Sequence, residues 1–178
     1  MRVFLACAID AAAATDLNAT LTPLRATYVE RAFRWIPPAN YHVTLRFFGE
    51  LSQESITAID ALIRPIADAT APMQCTASAP QPLPRTRPRV IVLPIASDER
   101  LERLAAQCNA ALEGGFGPAD KPFKAHLTIV RCERGARFVA APIDLAFPLG
   151  LTRIALFESV SSKAGQRYAP LREYRLGG

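Results

Sequence analysis

The sequence predicts an α+β fold built from two similar halves. The segments run strand, helix, strand, helix, strand, strand, helix, strand, strand, strand, which is too irregular for a doubly wound sheet. The only two histidines of the 178-residue chain lie in the same four-residue setting, one in each half. The length suits one domain, or two small lobes that share a cleft.

The first half contains two predicted strands and two predicted helices. Residues 2–9 and 41–48 read as strands, and the second of them is bounded by Gly49. A helix is expected from residue 11 to about Glu30, followed by a short linker with Trp35, Pro37 and Pro38. A second helix is expected over 52–69, opened by Ser52. The apolar residues of these two helices recur every three or four positions: Leu17, Leu21, Leu24, Tyr28, then Ile56, Ile59, Leu62, Ile63, Ile66.

The second half begins with a weaker strand over 72–79 and a proline- and arginine-rich loop over 80–88. The continuous apolar run 90–95 predicts a buried strand. Asp98 is expected to cap a third helix that ends at Gly114-Gly115.

The remaining part of the chain predicts a strand over 125–132 and three extended segments after it. Two of these are expected over 142–147 and 151–159, and the last over 167–174, after a turn at Ala164-Gly165. The segment over 167–174 is a short extended piece that follows the ten elements of the order given above.

Composition and charge describe an ordinary globular protein with a moderate basic excess. Half of the residues are hydrophobic, and 21 basic against 16 acidic residues leave a net charge of +5. Such a charge is compatible with a polyanionic partner but also common in proteins that never bind nucleic acid. Cys7, Cys75, Cys108 and Cys132 have mostly apolar neighbours and no ligand spacing, so we expect buried thiols rather than a zinc site.

The N-terminal apolar run is too short for a convincing export signal. It extends from Val3 to Ile9 and is closed by Asp10, so a strand explains it better. No apolar stretch is long enough to span a membrane. We therefore expect a cytoplasmic protein without a membrane partner, and no obligate protein partner is evident.

The repeated motif places an imidazole and a hydroxyl on one face of each strand. His42 is followed by Thr44, and His126 by Thr128. Residues i and i+2 of a strand share a face, so each pair points one way while its apolar neighbours anchor the strand from behind. Since threonine occupies 11 of 178 positions, this spacing would arise at both histidines by chance roughly four times in a thousand. The alternative is two unrelated strand histidines.

Two histidines on either side of a phosphorus atom can open a cyclic phosphodiester without a metal. One imidazole takes a proton from water, and the other protonates the leaving ribose oxygen. Threonine hydroxyls can donate to the non-bridging phosphate oxygens. Each threonine can equally be an ordinary strand residue.

Nearly the whole chain resembles the 2H phosphoesterases, which carry two such motifs, and most closely the RNA 2′,3′-cyclic phosphodiesterases, also called 2′-5′ RNA ligases. The similar segments are the first strand, the two motif blocks, a central strand and a C-terminal signature: RVFLACAI, Arg34 to Glu50, Arg87 to Val90, Phe123 to Arg131, Leu156 to Ser159, and Arg167-Tyr168. The chain departs from the family at Ala125, where proline usually precedes the second histidine. We expect only a slightly less rigid placement of His126.

The resemblance implies a single bilobal domain over residues 1–178, with two pseudo-symmetric antiparallel-sheet lobes flanked by helices around a central cleft. It implies that RNA termini or nucleotides with a 2′,3′-cyclic phosphate are hydrolysed to 2′-phosphomonoesters with no cofactor and no metal. Some relatives also join RNA ends through a 2′-5′ bond. By resemblance His42 is the acid and His126 the base, although the two motifs alone leave this order open.

Further residues are candidates for contacts with the substrate. By resemblance Thr44, Thr128 and Arg131 bind the phosphate. Arg131 lies five residues after His126, so it reaches the face that carries His126 only if the strand bulges or ends. The alternative is that Arg131 is a solvated surface arginine. Arg46 shares the face of His42 in a regular strand and is a weaker phosphate candidate. Phe48 and Tyr168 are possible stacking contacts, with core packing the main alternative for Phe48.

Three other functions remain open at this point. The substrate can be a small cyclic nucleotide, ADP-ribose cyclic phosphate or a 2′-5′ oligonucleotide. The cleft can bind RNA without catalysis, which predicts salt-sensitive binding that survives replacement of both histidines. A metalloenzyme is a poor third choice because no acidic cluster accompanies the histidines. Three arginines of the proline-rich loop, Arg85, Arg87 and Arg89, can attract the RNA backbone by their charge. The alternative is that they are simply solvated loop residues.

Overall fold

The computed structural model describes residues 1–28, 32–136, 138, 143–162 and 165–177, with the backbone alone considered at residue 162. Within these ranges it contains four α-helices, a short 3₁₀ helix over Pro38–Asn40 and ten strands. The α-helices are α1 (Ala11–Thr20), α2 (Thr22–Thr27), α3 (Gln53–Asp68) and α4 (Arg100–Phe116). The strands are β1 (Arg2–Ala8), β2 (Phe33–Trp35), β3 (His42–Glu50), β4 (Met73–Ser78), β5 (Gln81–Leu83), β6 (Val90–Ala96), β7 (His126–Cys132), β8 (Ala146–Leu151), β9 (Arg153–Ser162) and β10 (Gly165–Arg175).

The strands form one curled antiparallel sheet whose order is symmetric about its centre. The order is β10-β9-β1-β3-β7-β6-β4-β8, with β2 added beside β7 and β5 beside β6. The unit β1-α1-α2-β3 on one side of the centre corresponds to β6-α4-β7 on the other. The predicted α+β class and its two pseudo-symmetric halves are therefore confirmed.

The hydrophobic core forms behind the central strands, where apolar side chains alternate with the outward-facing ones. Val43, Leu45, Leu127 and Ile129 are all buried. Helix α3 contributes a buried stripe at the predicted spacing, and the Ser52 hydroxyl caps it by accepting a hydrogen bond from the Ser55 N–H at 3.3 Å: Ile56, Ile59, Ile63, Ala67.

Two predicted helices differ from the observed ones for reasons of local chemistry. The first is divided at Leu21 into α1 and α2, because Pro23 has no N–H and is tolerated only in the first turn of a helix. Helix α4 is capped by the Ser97 hydroxyl, which accepts from the Leu101 N–H at 3.0 Å, and not by Asp98. It continues through Gly114-Gly115 and ends at Gly117, whose φ of 69° only glycine adopts easily.

The strand predictions were correct in position, with two omissions and one shift. The linker after α2 contains β2, and the loop 80–88 contains β5; both have three residues. The strand expected over 142–147 is β8, which begins at Ala146. The predicted helix end near Glu30, the strand start at 142 and residue 164 of the predicted turn lie outside the described residues.

Candidate active site

Strands β3 and β7 meet at the centre of the sheet and bring the two histidine motifs together. Their antiparallel register pairs Val43 with Leu127. This pairing places His42 beside Thr128, and Thr44 beside His126, on the face opposite the core. The two imidazoles and two hydroxyls therefore form one group, related by the pseudo-two-fold axis between the strands.

Both imidazoles are held in the same way by a backbone carbonyl. The Nδ1 atom of His42 lies 2.7 Å from the Asn40 carbonyl oxygen, and Nδ1 of His126 lies 2.7 Å from the carbonyl oxygen of Lys124. A carbonyl oxygen can only accept, so Nδ1 carries a proton in each ring. The Nε2 atom is then left to exchange a proton with a ligand.

The two rings differ in their surroundings. Phe4 and Tyr168 enclose His42, with ring centroids 4.9 and 5.1 Å from that of the imidazole. Burial lowers the pKa of His42 to about 4; the hydrogen bond to Asn40 opposes this shift, while electrostatic interactions with Arg131 and His126 add to it. His42 is therefore neutral at neutral pH in the free protein.

A cavity of about 420 Å³ opens in front of the two motifs. It is lined by six residues that the sequence analysis selected and by others from β1, β3, β9 and β10. The selected residues are His42, Thr44, His126, Thr128, Arg131 and Tyr168. The volume is in the range of pockets that hold small organic ligands.

Arg131 reaches the cavity because β7 bulges. The pairing of β6 with β7 shifts between Ile91 and Val92, so that Ile129 has no partner. One extra residue reverses the alternation, and Arg131 then faces the same side as His126. Its guanidinium is exposed and donates a hydrogen bond to the Tyr168 hydroxyl at 3.3 Å.

The prediction that Arg46 faces the cavity with His42 is wrong. Strand β3 also bulges, at Leu45, and this turns Arg46 to the core side. Arg46 is only 5% exposed. Its guanidinium donates to the Asn109 side chain and to the carbonyl oxygens of Phe116 and Gly117 at the end of α4.

Phe48 does not line the cavity either, and its neighbour Phe47 does. Phe48 is half-buried against Phe116, with ring centroids 5.6 Å apart, as the packing alternative expected. Phe47 is 66% exposed at the edge of the cavity and contacts Phe4, the centroids lying 5.8 Å apart. The bulges in β3 decide which phenylalanine is exposed, and nothing in the sequence marks them.

Several residues of the site were missed by the sequence analysis as individual candidates. Asp120 precedes β7 and has no pattern of its own, whereas Ser159 lies within the C-terminal signature. The Gln166 side chain donates to the Ser159 hydroxyl. Asn40, which is 8% exposed, donates through its side chain to the Gln166 carbonyl oxygen at 2.7 Å, so it joins the His42 loop to β10.

Two features are absent from the described part of the chain. Within it, no three histidine, cysteine, aspartate or glutamate side chains are grouped as ligands of one metal ion. None of the helices found there has the length and apolar character needed to cross a bilayer.

The fold and the paired histidine motifs together define a class of protein. Comparison with known protein families identifies this class. The model of the 2′-5′ RNA ligase superfamily matches residues 11–162. The chain therefore belongs to the 2′-5′ RNA ligase superfamily.

Individual relatives agree with this assignment. The chain is 28% identical over 134 residues to the RNA 2′,3′-cyclic phosphodiesterase of Archaeoglobus fulgidus, covering 75% of this chain and 74% of the relative. It is 28% identical over 155 residues to the enzyme of that name from Thermus thermophilus, covering 83% and 78%. A crystal structure of a Thermus thermophilus protein superposes with a TM-score of 0.80 at 27% identity, over 100% of this chain and 99% of the other.

Proposed function

We propose that this protein hydrolyses RNA ends that carry a 2′,3′-cyclic phosphate to 2′-phosphomonoesters, with His42 and His126 as the acid–base pair. The observation that carries the proposal is the convergence of two Nδ1-anchored imidazoles on one cavity that also contains Thr44, Thr128 and Arg131. The relatives named RNA 2′,3′-cyclic phosphodiesterase support this choice of substrate.

The reaction needs one proton acceptor and one proton donor on opposite sides of the phosphorus atom. Nε2 of one ring removes a proton from water, whose oxygen attacks the phosphorus. The bond from phosphorus to the 3′ oxygen breaks, and Nε2–H of the other ring protonates that oxygen. The products are a 2′-phosphomonoester and a 3′-hydroxyl, and proton exchange with solvent restores the two rings. A 5′-hydroxyl in place of water would give a 2′-5′ linkage.

Arg131 and the two threonines are proposed to hold the phosphate during this reaction. The guanidinium of Arg131 and the hydroxyls of Thr44 and Thr128 can donate to the non-bridging oxygens as negative charge develops there. These donors are positioned before the substrate arrives, so little reorganisation is needed in the transition state.

The acid role that the resemblance gives to His42 requires its pKa to rise when the substrate binds. In the free site this pKa is about 4. An anionic phosphate beside the ring favours the charged imidazolium and opposes the effect of burial. Substrate binding would thereby load the acid with its proton. His126 would act as the base.

The direct test is an RNA oligonucleotide that ends in a 2′,3′-cyclic phosphate, incubated in the presence of a strong chelator. We expect a product with its phosphate on the 2′ oxygen, identified by its chromatographic mobility against synthetic 2′- and 3′-phosphate standards. A 3′-phosphate product, or activity that requires an added metal, would contradict the proposed mechanism. Parallel assays with small 2′,3′-cyclic nucleotides and 2′-5′ oligonucleotides define the substrate class.

A further inference from the structure

A second arginine lies directly beside Arg131 on the same face of the sheet. Strand β2 pairs with β7 so that Arg34 is opposite Arg131. Directly opposite residues of antiparallel strands point to the same side and have Cβ atoms about 5 Å apart. Their neighbours Trp35 and Val130 are paired in the next register position, where Val130 is buried. Arg34 therefore extends the face that carries the cavity.

Among the described residues, no acidic side chain neutralises this pair of arginines. Both side chains are exposed, and within the described residues neither forms an ion pair. Arg34 makes no side-chain hydrogen bond there, and Arg131 makes one, to the neutral hydroxyl of Tyr168. Glu133, two residues beyond Arg131, pairs with neither of them. Like charges directly opposite each other in a sheet are destabilising, so an anionic ligand is the natural partner of this arrangement.

We propose that Arg34 binds the internucleotide phosphate immediately 5′ of the terminal nucleoside, so that the preferred substrate is an RNA strand rather than a mononucleotide. This inference rests on the proposed function, in which Arg131 holds the cyclic phosphate. Two guanidiniums that extend from opposite positions of paired strands can each donate to a phosphate of the same RNA strand. The RNA would then leave the cavity across β2.

The loop after β5 offers a competing path for the strand. Arg85, Arg87 and Arg89 are exposed there, on the opposite side of β7 from β2. The loop joins β7 through a hydrogen bond from the Cys132 N–H to the Arg89 carbonyl oxygen at 2.8 Å. We favour Arg34 because the β2–β7 register places it directly opposite Arg131. The backbone of Arg89 is joined to Cys132, one residue further along β7, and Arg85 and Arg87 lie outside the strand pairings.

The test compares two substrates in R34Q and wild-type protein. A dinucleotide ending in a 2′,3′-cyclic phosphate has one internucleotide phosphate, and a 2′,3′-cyclic mononucleotide has none. For R34Q we expect kcat/KM to fall about tenfold on the dinucleotide, the scale of one charged hydrogen bond, and to change less than about twofold on the mononucleotide. The slope of log kcat/KM against log salt should become shallower by about 0.7 on the dinucleotide.

A neutral methylphosphonate in place of the internucleotide phosphate supplies the matching change in the substrate. On this analogue, kcat/KM of wild-type protein should fall by about the same factor as kcat/KM of R34Q falls on the natural dinucleotide. The analogue should cause no further fall in kcat/KM of R34Q. R103Q, which changes an exposed arginine of α4 with the same loss of charge, should behave as wild type on both substrates. R87Q tests the competing path.

The outcomes separate this inference from the proposed function. The role of Arg34 would be overturned if R34Q had the wild-type kcat/KM on the dinucleotide, or if its kcat/KM fell equally on both substrates. It would also be overturned if R87Q, and not R34Q, showed the tenfold fall. Wild-type protein inactive on every cyclic phosphate would overturn the proposed function and this inference with it. The midpoint of thermal unfolding of R34Q should be unchanged or slightly higher, since one of two opposed like charges is removed.

Discussion

The two motif strands, β3 and β7, have nearly the same backbone and different chemistry. Each begins with a histidine whose Nδ1 is held by the carbonyl two residues before it, and each bulges three residues after that histidine, at Leu45 and Ile129. The residue five positions after the histidine is turned into the cavity in both strands, but it is Phe47 in one and Arg131 in the other.

This difference teaches that the symmetric backbone supplies a symmetric pair of imidazoles, while single positions beside them make the cavity directional. One edge presents an apolar ring, and the other presents a positive charge. A nucleotide has the same asymmetry, with a flat base at one side and a phosphate at the other. A cyclic nucleotide would therefore bind in one orientation.

The largest expected effect comes from removing either half of the symmetric pair. H42A and H126A should each lower kcat on a 2′,3′-cyclic phosphate by about a hundredfold or more, the scale of losing a general acid or base. Initial rates under saturating substrate measure this. Near wild-type turnover in one of the two variants would show that the halves do not share the chemistry, provided that circular dichroism shows both variants folded.

The next effect concerns the charged edge of the cavity. R131Q removes the guanidinium that we propose holds the phosphate, and kcat/KM should fall about thirtyfold, as for a charged hydrogen bond of about 2 kcal/mol. Placing an arginine at the equivalent position of β3, in the double variant F47R/R131Q, should not restore activity, because Arg131 is oriented by Tyr168. Recovery in the double variant would mean that the two edges are interchangeable.

A smaller effect is expected at the apolar edge. F47A should raise KM about tenfold with little change in kcat, because stacking of a base on an aromatic ring contributes about 1–3 kcal/mol. The matched control is F48A, which changes the neighbouring residue packed on Phe116 and should lower the unfolding midpoint while leaving KM near that of wild type. The opposite result would return the stacking role to Phe48.

The smallest effect distinguishes the two imidazoles by their acidity. In the free protein His42 should titrate near pH 4, and binding of a 2′-phosphate nucleotide should raise that pKa. With two histidines in the chain, NMR titration of the ring resonances, assigned with H126N, measures this directly. A titration of His42 near its ordinary 6.5 in the free protein would contradict the effect of burial.

The same shift predicts how stability depends on pH. The unfolded chain binds a proton at His42 below about pH 6.5, and the folded protein does so only below about pH 4. The free energy of unfolding should therefore fall as the pH is lowered through this interval. H42N should remove that part of the dependence in denaturant titrations, which separates it from the carboxylates.

Most elements of the fold could be predicted from the sequence because long amphipathic segments have a clear apolar periodicity. Helix α3 has both a capping serine and a continuous apolar stripe, and its bounds differ from the prediction by one residue at each end. Strands β2 and β5 have three residues each, too few for any periodicity to show. Helix α4 passes two glycines because its packing outweighs their low propensity.

The site could be predicted where it depends on alternation and not where alternation fails. His42, Thr44, His126 and Thr128 precede the bulges, so the period of two correctly put each histidine on the same face as its threonine. That the two motifs meet was implied only by the family resemblance. Beyond the bulges the same rule gives the wrong face for Arg46. A bulge is set by cross-strand pairing with β1 or β6, which are distant in the sequence, and no local residue pattern encodes it.

Asn40 has a consequence for how the protein gains its activity during synthesis. Its carbonyl oxygen sets the proton position on the His42 ring, and its side chain is held by the backbone of Gln166 in the final strand. During synthesis both histidines would thus leave the ribosome before Gln166 does. The hydrogen bond from Asn40 to Gln166, which holds the His42 loop, could form only afterwards. The orientation of the His42 ring through Asn40 would then be complete only after β10 has docked.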